Sequence, residues 1–119
     1  MDDSEIVLET LRAVFEHAGF VVHTAMNIAE LETHLAAVRP DLVVLDVQMP
    51  EVYGYDVGLV LKQVRKLSVP IILFSSLEDA VLAERVEEAA LDGYVSKNGG
   101  AGVLLERVTA MLAESGGPT

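Results

Sequence analysis

Apolar positions along the chain recur in two periods, and the alternation of those periods predicts the fold. Over residues 4–18, Val7, Leu8, Leu11, Val14, Phe15 and Ala18 fall at helical spacing. Ser4 suits the N-cap of this helix and Gly19 stands just past its end. Residues 20–25 are short, β-branched and aromatic, which predicts a strand. Asn27 with Glu30 then opens a second helix in the manner of a capping box, its apolar stripe being Ile28, Leu31, Leu35 and Val38 and its stop Pro40.

Residues 42–45, Leu-Val-Val-Leu, are apolar without alternation, the pattern of a strand buried on both faces, and they end at Asp46. A loop containing Pro50 and Gly54 leads to a predicted helix over 56–66, with Lys62, Arg65 and Lys66 near its negative C-terminal end. Pro70 introduces a second wholly apolar strand over 71–74, followed by Ser75 and Ser76. A helix over 79–90 turns Val81, Leu82, Val86 and Ala89 inward; a last strand is expected at 93–96, a last helix near 103–112, and a frayed tail over 115–119. The result is an α/β chain with a doubly wound parallel sheet of four strands and five helices, one domain over 1–114.

The expected strands begin near residues 20, 41, 70 and 93, roughly 21 to 29 residues apart, the length of one βα unit. That rhythm calls for one more strand ahead of the first helix, where only Met1 precedes the acidic pair. Apolar strands with open edges pair readily, so the reading expects a homodimer or strand-exchanged oligomer, or else direct pairing of the 20–25 and 42–45 strands.

Composition narrows the function. With 119 residues the chain has room for one domain and none for an added effector. Eight basic against nineteen acidic residues leave a net charge of −11, which disfavours nucleic acid as a partner. No cysteine is present, so thiolate catalysis and disulfides are excluded. No apolar run approaches a membrane span and the acidic start is unlike a signal peptide, so a cytoplasmic location away from membranes is expected.

Ligands of doubly wound sheets bind outside the carboxyl ends of the strands. The side chains expected there are Asp2 and Asp3, Asp46, Ser75 with Ser76, and Lys97. Carboxylates suit a hard octahedral cation such as Mg²⁺, and a carboxylate beside a metal and an ammonium can accept a phosphoryl group. Bland alternatives exist for each: Asp46 could cap a turn, Asp2 and Asp3 could serve the helix dipole, the serines could be turn residues, Lys97 could be solvated and Tyr94 could fill core. His17, His23 and His34 show no shared face, and the Gly99-Gly100-Ala101-Gly102 run lacks the lysine of a phosphate loop.

Together these segments resemble the response-regulator receiver domain, the chemotaxis-regulator (CheY-like, flavodoxin-like) type, over nearly the whole chain. Asp2-Asp3-Ser4 resembles its acidic pair; residues 39–46 resemble its third strand with the phospho-acceptor; Gln48-Met49-Pro50 and Gly54 resemble the following loop; residues 70–75 resemble strand 4 with its hydroxyl; and residues 93–97 resemble strand 5 with its lysine. The resemblance implies a bacterial two-component phosphoprotein, signalling rather than catalytic beyond its own phosphorylation and dephosphorylation. Asp46 would take phosphate from a histidine kinase. Asp3, Asp46 and the Gln48 backbone carbonyl would hold Mg²⁺ with Asp2 assisting. Lys97 would pair with the acyl phosphate, and Ser75 would couple to rotation of Tyr94 and to a downstream signalling protein. The family's first strand is missing here, Tyr53 stands where an aspartate is common, and Asn98 replaces the usual proline. Losing that strand motivates a second reading, a degenerate, phosphorylation-independent interaction or dimerisation module.

Overall fold

The computed structural model describes residues 1–46 and 68–116. Helix α1 spans Glu5–His17 and α2 spans Ile28–Ala37; strands β1 (Val43–Leu45) and β2 (Ile71–Ser75) precede α3 (Asp79–Ala89), β3 (Gly93–Ser96), a 3₁₀ turn (Lys97–Gly99) and α4 (Gly100–Gly116). Gln48, Met49, Pro50, Tyr53, Gly54 and the helix expected over 56–66 lie outside the described residues.

The caps form as the sequence dictates. Ser4 Oγ accepts from the Val7 N–H at the start of α1, and Asn27 Oδ1 accepts from the Glu30 N–H while Glu30 Oε1 accepts from Met26. At the far end of α1 the chain turns through Gly19 at φ +96°, a backbone conformation open to glycine at little cost. Phe20 then folds back so that its ring lies 5.5 Å from that of Phe15. Helix α4 starts earlier than its apolar stripe suggests, because the 3₁₀ turn after β3 runs directly into Gly100.

The sheet is parallel, in the order β1-β2-β3, with Val43 opposite Ile71 and Ile72 opposite Gly93. All five residues of β2 are buried, as expected for a strand covered on both faces. One face carries a cluster of Leu31, Leu45, Ile71, Leu73, Leu82 and Ala89; the other carries Phe15, Ile72, Phe74, Val95, Leu104 and Val108. Asp92 joins the strand starts by a reciprocal pair: its N–H donates to the Ile71 carbonyl at 3.0 Å, and its carboxylate accepts from the Ile71 N–H at 2.6 Å.

The expected strand at 20–25 is corrected: among the described residues the sheet has three strands, and 20–25 carries no ladder. Nor does it pair directly with β1. The Met1–Asp2 unit stands between them. The Met1 amine donates to the Val44 carbonyl at 2.6 Å, and the Met1 carbonyl accepts from the Asp46 N–H at 2.9 Å. On its other side the Asp2 N–H donates to the Ala25 carbonyl at 3.1 Å. A ladder along 20–25 needs a neighbour along its whole length, and here it meets one at a single point.

Candidate functional site

The C-terminal edge of this sheet gathers groups distant in sequence. Asp46 follows β1 directly; Asp2 follows the residue that bridges β1 and the 20–25 segment; Lys97 follows β3. The Asp2 and Asp46 side chains are buried, and Asp3 is exposed. One ligating oxygen from each of the three carboxylates lies within 4.8 Å of the others. Opposite oxygens around an octahedral Mg²⁺ stand about 4.2 Å apart, so one such ion fits this set of hard donors with a small contraction.

Lys97 neutralises part of the cluster. Its Nζ lies 2.8 Å from Asp2 Oδ2, 3.5 Å from Asp46 Oδ2 and 5.9 Å from the centre of the Phe74 ring. Burial opposes the charge on Lys97, but its hydrogen bond to Asp2 and the attraction of Asp2 and Asp46 outweigh it, so the pKa is raised and the ammonium persists. The other oxygen of Asp2 accepts from the Ser4 N–H at 2.9 Å, which fixes the carboxylate at the head of α1. The first residue shares this pocket: burial lowers the Met1 amine to about 6, against the upward pull of Asp2 and Asp46.

The remaining sequence-predicted residues are placed differently. Ser75 is fully buried at the end of β2, opposite Ser96, and its hydroxyl accepts from the Leu77 N–H at 3.2 Å. Ser76 is exposed, while Tyr94 is half-buried against the cluster formed by Leu45, Leu73 and Leu82. Gln48 lies outside the described residues. Three features escaped sequence reasoning: the Met1 bridge, the Phe74 ring beneath Lys97, and the rings of His23 and His34 only 5.3 Å apart. Each depends on contacts between separate elements, and only the missing-strand rhythm hinted at the first.

A buried strand-end aspartate, two further carboxylates and a lysine on the next strand but one is the arrangement to set against known proteins. The profile of the response regulator receiver domain family matches residues 1–109. The chain belongs to that family. Receiver domains serve two-component signalling and as a family bind Mg²⁺ at an acidic pocket, which the cluster of Asp2, Asp3 and Asp46 matches in kind. The transcriptional regulatory protein CseB of Streptomyces coelicolor is 34% identical over 119 residues, covering 98% of this chain and 49% of that protein. The polar-differentiation response regulator DivK of Brucella anthropi is 26% identical over 116 residues, covering 97% of this chain and 94% of DivK. The chain thus spans about half the length of the first transcriptional relatives it matches and nearly all of DivK.

Among solved structures, the receiver domain of a histidine kinase from Syntrophus aciditrophicus superposes with a TM-score of 0.83 at 31% identity, over 96% of this chain and 87% of that one. The Francisella response regulator 1452 receiver domain gives a TM-score of 0.84 at 22% identity, over 96% and 93%, a likeness of fold. Among the described residues no helix is long and apolar enough to cross a membrane.

Proposed function

We propose that this receiver is phosphorylated on Asp46 by a histidine kinase and signals by binding a downstream protein. The observation that carries the reading is the buried Asp46 carboxylate at the end of β1, with Lys97 at 3.5 Å and two more carboxylates within 4.8 Å. In the transfer an Asp46 oxygen attacks the phosphorus of a phosphohistidine. The new P–O bond forms as the P–N bond breaks, and the imidazole leaves with that electron pair. Asp2, Asp3, Asp46 and the backbone carbonyl of Gln48 would hold Mg²⁺, which when bound supplies positive charge to the phosphoryl oxygens.

Lys97 has a separate task. Its ammonium is already poised between Asp2 and Asp46, so a short swing from Asp2 brings it onto an oxygen of the acyl phosphate. Ser75, one strand away and paired with Ser96, would give up its bond from Leu77 to donate its hydroxyl to another phosphoryl oxygen. That exchange, with Tyr94 turning in β3, would carry the change to the surface of α3, β3 and α4, where the partner binds. The competing phosphorylation-independent reading rests on the missing first strand; in favour of the phosphorylated reading, Asp2 is held by Ala25 on one side and Ser4 on the other.

Incubation with Mg²⁺ and acetyl phosphate or beryllofluoride tests the proposal. One phosphoryl mass gain, or a saturable spectral change, is expected and vanishes in Asp46→Asn. No response from the folded protein would sink it.

A further inference from the structure

The ladder between β2 and β3 runs to the Ser75–Ser96 pair, and Lys97 is the first residue beyond it. Its backbone is carried instead by the 3₁₀ turn Lys97–Gly99, and one such turn has poor hydrogen-bond geometry and little stability of its own. Neighbours hold the turn from several sides. Ser96 Oγ accepts from the Asn98 N–H at 3.1 Å, and the Gly100 N–H donates to the Lys97 carbonyl. Val103 lies so close over Gly99 that a Cβ there would meet Val103 Cγ2 at 3.2 Å. Ser96 thereby caps a donor that so short a helix cannot satisfy from within.

The neighbouring strand closes with the same device, Ser75 Oγ accepting from the Leu77 N–H at 3.2 Å. Because the two serines are register partners in parallel strands, their side chains stand on one face of the sheet. Their surroundings differ. Ser75 is fully buried, and in the proposed mechanism it turns to the phosphoryl group; Ser96 is half-buried and bonded to the turn that carries the lysine.

Lys97 needs an anchor at its root. In the resting chain its ammonium is fixed by Asp2 at 2.8 Å, but that bond is given up when Nζ moves to an acyl phosphate on Asp46, which it faces at 3.5 Å. A lysine side chain is long and flexible, so once its tip is freed its reach is set by the backbone beneath. Displacing a group in an active site by about 1 Å can cost on the order of a hundredfold in rate.

We infer that Ser96 is a positioning residue for phosphoryl transfer: its hydroxyl, through the Asn98 N–H, holds the backbone of Lys97 so that the ammonium can pass from Asp2 to the phosphoryl group on Asp46. Ser96 acts on the lysine and not on the carboxylates, so it governs the rate of transfer and leaves metal affinity alone. The inference rests on the phosphorylated reading for its chemistry and on the bond from Asn98 for its structure.

The test compares, in the whole chain, Ser96→Ala, which removes the acceptor, with Ser96→Thr, which keeps it. With acetyl phosphate and saturating Mg²⁺, the rate of Asp46 phosphorylation should fall at least fivefold in Ser96→Ala and return to within twofold of wild type in Ser96→Thr. Mg²⁺ affinity, by chemical-shift titration, should stay within twofold of wild type in both. Without phosphodonor, hydrogen exchange at the Asn98 amide should be at least tenfold faster in Ser96→Ala and unchanged in Ser96→Thr. In a chain that is phosphorylated, an unaltered rate in Ser96→Ala, a Ser96→Thr chain as slow as Ser96→Ala, or Mg²⁺ affinity falling in step with the rate overturns this inference alone. An unchanged Asn98 amide in Ser96→Ala does the same. A wild-type chain that takes no phosphoryl group overturns the Asp46 reading together with this one.

Discussion

The Lys97 ammonium sits 2.8 Å from Asp2 and 3.5 Å from Asp46, so the carboxylate at the head of α1 holds the lysine more tightly than the strand-end aspartate does. One cation therefore serves two buried anions. Its loss leaves the two carboxylates facing each other beside the Met1 amine.

Lys97→Met is expected to destabilise the chain by about 1–2 kcal/mol, less than for a fully buried pair because part of the side chain meets solvent. Urea unfolding without Mg²⁺ measures this. Millimolar Mg²⁺ should recover part of the loss, since the ion neutralises the same carboxylates; no recovery would show that packing over Phe74, rather than charge, is the larger contribution.

Asp46→Asn removes one of three clustered carboxylates. In the absence of divalent ions it should stabilise the fold by about 0.5–1 kcal/mol through relief of repulsion, and its melting temperature should no longer respond to Mg²⁺. A destabilised variant that still responds to Mg²⁺ would contradict the placement of Asp46 in the cluster.

A pH dependence follows from the first residue. Burial lowers the Met1 amine from its ordinary 8.0 to about 6, so between those values the unfolded chain binds the proton and the native chain does not. Stability from this group is complete above about pH 8 and is lost as pH falls to about 6, a change of about 2–3 kcal/mol. Subtracting the profile of an N-terminally acetylated chain isolates this group from the histidines. A difference that runs the other way, or is flat, refutes the burial of the amine.

Leu45 is fully buried next to Asp46, and Ile6 is 77% exposed on α1. Leu45→Ala should cost about 2–5 kcal/mol and Ile6→Ala less than about 0.5 kcal/mol by denaturant unfolding. Comparable losses would mean that the two-faced core is not organised around β1.

Much of this was readable in one dimension where local chemistry decides structure. The caps at Ser4 and Asn27 involve atoms three residues apart, and the unbroken apolar runs of β1 and β2 can be buried only between two layers. The start of α4 was harder, because Gly100 and Gly102 weaken the helical signal while the preceding 3₁₀ turn supplies the nucleus. The strand expected at 20–25 illustrates the limit: β-branched composition prepares a strand, but a ladder exists only where a neighbour supplies partners.

The sequence by itself determined the helices over 4–18, 27–38 and 79–90, the burial of β1 and β2, and which residue types end the strands, because periodicity, caps and turn residues act within a few positions. Tertiary structure alone decided that Asp2 is held rather than frayed, that Lys97 reaches it across the sheet, and that Met1 bridges two segments. Those outcomes rest on contacts such as Met1 to Val44, 43 residues apart. Such contacts form only after the layers close and exclude water from the bonds they make.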